Sequence, residues 1–184
     1  MTMKSKLIKD MFPGYLEEIN VDTAEDKITI YFNSKRNTCN CPSCNTASSI
    51  VSTYFTRKIQ DLNIIEKPLF LVIRLAKYRC ENPDCSTKIF SENINEFAET
   101  KARKTNRLNE LLTKFSLTQS AEAAARRCND INIKVSGDTL LRLSKKYEHL
   151  INKEYIQSIG IDDFALKKTS LWNSYSKFRY WKNN

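Results

Sequence analysis

Glycine and proline are scarce, three and four in 184 residues, so element boundaries have to be read from changes of hydrophobic period rather than from turn residues. No internal repeat or low-complexity tract is present. A long apolar run is lacking too: the most apolar stretch, Leu69 to Leu75, already contains Arg74 and falls far short of the roughly 20 residues a bilayer span needs. No membrane association is expected. The basic residues Met1 to Asp10 are followed by neither an apolar region nor a small-residue cleavage site, so no secretory signal is expected and a cytoplasmic, nucleoid-associated location is. Acidic residues are in deficit, 21 against 30 Lys and Arg, and the formal charge of +9 favours polyanionic partners through counterion release. The single histidine, His149, lies just past a basic turn and reads as a surface or linker residue rather than a ligand. With 41% hydrophobic residues the chain can nonetheless bury a core.

The period changes along the chain. Leu16 to Phe32 alternates loosely around Asp22-Thr23-Ala24-Glu25-Asp26, with Ile28, Ile30 and Phe32 on one face, which predicts a β-hairpin. Ile50 to Gln60 and Leu69 to Tyr78 read as two more strands, separated by Asp61 to Pro68 and bracketed by cysteine pairs. From Lys101 the spacing becomes helical: Leu108, Leu111, Leu112 and Phe115 form one stripe. A second stripe is Ala121, Ala124, Ala125 and Cys128, with Ser120 as N-cap. Ser136 caps a third helix that carries Asp138 in its first turn and turns Leu140, Leu143 and Tyr147 inward. Ile159-Gly160-Ile161 before Asp162-Asp163-Phe164 predicts a buried strand ending in carboxylates. The expected class is α+β, with a β-rich zinc-binding domain at 1–98, a helix-turn-helix domain at 99–150 and a third segment at 151–184.

Six cysteines in a reducing compartment do not suggest a disulfide framework. Cys41 and Cys44 enclose two residues, Pro42 and Ser43, and Cys80 and Cys85 enclose four, Glu81 to Asp84. Each pair sits where a turn can present two thiolates to one ion, and four thiolates in a tetrahedron suit Zn²⁺, whose binding supplies folding energy to a small β-subdomain. A set of merely buried cysteines is the competing reading, and two correctly spaced pairs weigh against it. Cys39 is left outside the site, since the Cys-Pro-x-Cys knuckle is complete without it. A zinc deaminase would need Pro-Cys-x-x-Cys with an upstream His or Cys followed two positions on by Glu, whereas Pro42 lies inside the pair here. Four cysteines also close the coordination shell, so the expected zinc is structural.

The helices begun by Ser120 and Ser136 are spaced for a helix-turn-helix whose second helix would enter a major groove. Thr139, Arg142, Lys145 and Lys146 would be its polar face, with Arg142 placed for a bidentate base contact. Arg126 and Arg127, with Lys101, Arg103, Lys104 and Arg107, would hold phosphates. A plain three-helix bundle with a solvated basic face is the alternative from this segment alone.

In order, the chain presents Cys41-Pro42-Ser43-Cys44, Arg57-Lys58-Ile59-Gln60-Asp61-Leu62, Tyr78-Arg79-Cys80 through Cys85 to Ile89-Phe90-Ser91-Glu92, Val135-Ser136-Gly137-Asp138-Thr139-Leu140-Leu141 and Ile159-Gly160-Ile161-Asp162-Asp163-Phe164-Ala165. This order resembles the bacterial insertion-sequence transposases of the ISL-three family over about residues 38 to 168. The resemblance implies an N-terminal zinc domain, a helix-turn-helix that recognises terminal inverted repeats of double-stranded DNA, and a ribonuclease-H-like domain with a DDE carboxylate triad. It places the zinc ligands at Cys41, Cys44, Cys80 and Cys85, as spacing does. It places the first catalytic aspartate at Asp162, with Asp163 as the alternative, at the end of the first strand of the ribonuclease-H-like fold. Two Mg²⁺ ions held by several carboxylates would do the chemistry in a full-length relative.

The chain departs from that pattern after Asp163, beyond which there is no Asp or Glu. The expectation is therefore a truncated transposase that binds inverted repeats without strand transfer, alone or in association with itself or an intact transposase. The segment Thr169 to Asn184 sets Lys177, Arg179 and Lys182 among Trp172, Tyr175, Phe178, Tyr180 and Trp181, as a base-stacking segment would. The favoured reading is that it was never selected as protein: back-translated with A/T-rich codons and shifted by one nucleotide, Leu171 to Asn184 can spell an apolar strand after a Tyr-Gly-Thr turn. A zinc-ribbon and helix-turn-helix transcriptional regulator is the alternative function, and a protein-binding ribbon a third. Asp162 and Asp163, useless to a regulator, favour the transposase.

Overall fold

The structure, a computed structural model, describes residues 10–146. The strand expected at 159–161, Asp162, Asp163, Tyr147, His149 and the aromatic segment from Thr169 lie outside the described residues. Alternation in the first apolar stretch produces a hairpin of β1 (Leu16–Thr23) and β2 (Ile28–Ser34), closed by the Ala24 amide on the Lys27 carbonyl at 3.0 Å. Two short strands, β3 (Cys39–Asn40) and β4 (Ala47–Ser48), pair antiparallel around the first cysteine pair. They lead into a long hairpin of β5 (Val51–Ile64) and β6 (Lys67–Arg79).

The turn of that hairpin differs from expectation. Instead of spanning Asp61 to Pro68 it is only Ile65 and Glu66, both with positive φ (48° and 62°), between the paired residues Ile64 and Lys67. Two left-handed residues match the twist of the flanking strands, which is why so short a loop closes them without glycine. The strands run on because Asp61 sits directly opposite Leu69 on the buried face and has partners there.

β6 is the middle of the sheet. β5 flanks one edge along nearly all its length; the other edge is shared by β2, which runs parallel to Leu69–Arg74, and by β7 (Ile89–Ser91), antiparallel to Lys77–Arg79. Alternate residues of each strand, Ile30 and Phe32 of β2, Ile59 of β5 and Leu69, Leu71, Ile73 and Leu75 of β6, turn to a common core with Phe12, Leu16, Ile94, Phe97 and Ala98. The opposite face carries Tyr31, Lys58, Phe70 and Arg74.

Among the described residues three helices follow: α1 (Asn106–Thr118), α2 (Ala121–Asp130) and α3 (Gly137–Lys146). Thr105 caps α1 by accepting the Leu108 amide, and Ser120 caps α2 through the Ala123 amide. The expected stripes are the ones buried: Leu108 and Leu112 of α1, Ala124, Ala125 and Cys128 of α2 and Leu140 of α3, with Ile133 from the six-residue connection before α3. Leu62 of β5 packs against the same cluster.

The helices are joined to the sheet edge by polar contacts that the sequence did not disclose. The Gln60 amide donates to Arg103 O and the Thr105 amide to Gln60 O, a one-residue parallel bridge on the free side of β5. Beside it the fully buried Asp61 accepts from Thr105 Oγ1 (2.6 Å) and from Arg107 Nε (2.8 Å), with a second ion-pair contact from the same guanidinium. Arg107, expected to hold a phosphate, is committed inside the fold, and its other nitrogen reaches Met11 O. Removing one partner of a buried ion pair strands the other charge, so Arg107→Ala should lower stability by about 3 kcal/mol, measured by urea unfolding. Adding Asp61→Asn to that variant should recover part of the loss.

Candidate metal centre

The first knuckle is folded by its own backbone. The Cys41 amide donates to Thr46 O and the Asn45 amide to Cys41 O, both at 2.9 Å, and Asn45 takes the left-handed conformation (φ 58°) that asparagine tolerates better than most residues. The second knuckle grows from the end of β6. The Cys80 amide bonds Lys88 O at 2.9 Å, the Cys85 amide bonds Asn82 O at 3.2 Å, and the Asn82 side chain accepts the Asp84 amide at 3.0 Å. Ser48 Oγ donates to Arg79 O at 2.6 Å and Ser43 pairs with Thr87 at 2.7 Å, so the two knuckles are tied to each other by hydrogen bonds as well.

Four sulfurs converge as a result. Cys41 Sγ lies 3.8 Å from Cys85 Sγ and Cys44 Sγ lies 3.5 Å from Cys80 Sγ, and all four fall within 4.8 Å of one another. None is in a disulfide. A Zn–S bond of about 2.3 Å at the tetrahedral angle requires sulfurs roughly 3.8 Å apart, so the donor set and its spacing fit one such ion. Cys41, Cys80 and Cys85 are buried, and Cys44 is half-buried. The thiols differ: hydrogen bonding from Thr46, whose hydroxyl is 3.3 Å from Cys44 Sγ, brings Cys44 down to about 6, while desolvation lifts Cys80 to about 12. Four thiolates this close repel one another, and a divalent cation is what lets them ionise together.

Cys39 is not in the cluster; its Sγ is directed to Asn40 O at 3.9 Å. Cys128 is fully buried among the helices. The cysteines pack on a small core of Ala76, Tyr78 and Phe90, in which Tyr78 and Phe90 stack at 6.0 Å and Tyr78 Oη donates to Arg36 O. Thr46, Ser43 and Thr87, which support the site, carry no distinctive spacing in the sequence. Glu92, from the stretch Ile89 to Glu92, is buried beside this region and accepts the Ala76 amide at 3.1 Å and the Ser34 hydroxyl.

The other expected site residues lie on the helices. Arg126 and Arg127 are exposed on α2; Arg142, Lys145 and Lys146 are exposed on α3, and Thr139 is half-buried. Arg142 Nε rests on Asp138 O at 3.3 Å, and Lys146 pairs with Glu99 on the surface, a contact of small energy. The exposed stripe of α3 also holds Asp138 and Leu141.

A pair of cysteine knuckles closing one four-sulfur site beside a β-hairpin defines a zinc-ribbon type of domain. Residues 37–85 match the family model described as zinc-finger of transposase IS204/IS1001/IS1096/IS1165, so this part of the chain is similar to the zinc finger of those transposases. No curated protein and no solved structure matches the chain. Among the described residues no helix is long and apolar enough to cross a membrane.

The purified protein should carry about one Zn²⁺ per chain by metal analysis. Cys41→Ser and Cys80→Ser should each lose it and loosen the sheet end around Tyr78, seen in near-ultraviolet circular dichroism. Cys39→Ser and Cys128→Ser should retain it.

Proposed function

We propose that the chain is a zinc-dependent DNA-binding part of an insertion-sequence transposase, directed to terminal inverted repeats. The observation that carries this reading is the four-cysteine cluster, which lies inside a segment matching a transposase zinc finger and is followed by three packed helices with a basic outer surface. The zinc has a structural part in it. Four sulfurs fill its coordination shell and leave no position for water or substrate, so the ion would hold the two knuckles and the end of the β5–β6 hairpin together.

Recognition is assigned to α2 and α3, acting as a helix-turn-helix. The small residues Ala124 and Ala125 let the helices approach, and the exposed stripe of α3 presents Arg142 and Lys145 toward a major groove, with Arg126 and Arg127 of α2 toward phosphates. Arg142 is the base-reading candidate because a guanidinium matches the two acceptors of guanine. Lys146 can leave Glu99 at little cost to join the phosphate contacts. Asp162, or Asp163 beside it, is assigned as the first aspartate of a DDE site that acts with Mg²⁺ in a full-length relative.

Arg142→Ala should weaken specific duplex binding by about 1–3 kcal/mol and relax sequence preference, whereas Lys101→Ala should weaken cognate and random DNA alike, both measured by fluorescence anisotropy. Equal effects of the two changes on both DNAs would reduce the helices to a basic bundle.

A further inference from the structure

Between the open face of the sheet and the start of α3 lies a groove of about 1010 Å³ whose walls come from widely separated parts of the chain. Lys27 reaches it from the β1–β2 turn, Lys58 from β5, Lys104 from the segment bridged to β5, and Lys134 from the connection before α3. The only carboxylate in its lining is Asp26, 3.9 Å from Lys27 and itself 76% exposed, which offsets little of that charge. Among the described residues Lys58, Lys104 and Lys134 make no salt bridge. Lys104 is half-buried, and desolvation, with Arg103 next to it, lowers its pKa. Four lysines line this one groove, and the half-buried Lys104 ammonium has no salt-bridge partner among the described residues, an arrangement that a negative ligand would complete.

The groove is also continuous with two other features. Its helical wall includes Ser136 and Thr139 at the N-terminus of α3, the positive end of the helix dipole. Its sheet wall includes Phe70, with Lys58 Nζ 4.7 Å from the ring centre, and the same face goes on to Arg74 over Tyr54 at 4.2 Å. A small anion would fill one corner of such a trough; an extended polyanion would fill all of it.

We infer that this groove seats the phosphodiester backbone of DNA, carrying it from the first turn of α3 across the open face of the sheet. The inference rests on the DNA-binding reading above and extends it: the sheet contributes part of the DNA contact, beside the exposed stripe of α3. Each lysine that neutralises a phosphate adds about 0.9 to the slope of log affinity against log salt for duplex, and somewhat less for a single strand.

The test uses the full zinc-loaded chain with a 30-nucleotide random duplex, and separately one of its strands, titrated across salt concentrations. Lys58→Gln/Lys134→Gln alters two exposed residues and should lower the slope by about 2. Lys104→Gln should lower it by about 1. The control Lys35→Gln/Lys114→Gln removes the same two charges from exposed positions outside the groove and should leave the slope as it is. A loss seen with the duplex assigns the groove to double-stranded DNA, and a loss confined to the single strand assigns it to a displaced strand. Groove and control variants with the same slope on both probes would overturn the inference. In that case Arg142→Ala still weakening cognate DNA would leave the proposed function standing, and a wild-type chain binding no DNA would remove both.

Discussion

A carboxylate cannot be shut away from water unless its charge and lone pairs are met, and Asp61 is the place where this protein meets that demand. Its neighbours on the buried face are aliphatic, and Leu69 stands directly across the sheet from it. Satisfying it requires the Thr105 hydroxyl and the Arg107 guanidinium together. Those two residues flank the start of α1, so the need of one side chain fixes where the helices begin and which edge of the sheet they sit against. Thr105 serves twice, donating to Asp61 and accepting the Leu108 amide as helix cap. Leu62, one residue on, then enters the helical core.

The cysteine centre answers a different shortage. At the far end of β6 the apolar core is reduced to Ala76, Tyr78 and Phe90, flanked by strands of two and three residues. Such short strands bury too little surface to hold themselves. Four metal–thiolate bonds would replace the missing hydrophobic contacts, and the hydrogen bonds between Cys44 and Thr46, Ser43 and Thr87, and Ser48 and the Arg79 carbonyl hold the knuckles in the shape that those bonds need.

How much of this was legible in the sequence follows from which interactions are local. The knuckles were, because ligand spacing within a turn is a local constraint; Cys39 could be set aside because the knuckle is complete without it, and Cys128 because it falls on the small apolar stripe of a helix. The helical stripes and the Ser120 cap were, since period and capping act over four residues. The parallel pairing of β2 with β6 was not: it joins residues some forty positions apart, and nothing in either strand names its partner. The β5–β6 turn was misread because Asp61 and Pro68 look like loop residues, although both lie within strands. Its position two residues after Ile59 put Asp61 on the buried face, and an acid at an inward position was the available clue that a cation must come from elsewhere. Arg107 follows Lys101, Arg103 and Lys104 in a basic stretch, and nothing local to it distinguishes the residue that Asp61 takes as its partner.

The neighbours β2 and β6 enclose between them β3, β4 and β5, so the first knuckle and one arm of the long hairpin form an excursion that must return before the parallel pair can close. Closing a loop of that size is an entropic barrier to folding, and parallel pairing gives no reward until it is complete. A bridge between Cys44 and Cys80 spans most of the excursion and would bring its two ends together beforehand. Metal supply would then govern how fast the sheet assembles during synthesis as well as how firmly it holds, and a chain made without zinc would linger with the apolar edge of β6 uncovered.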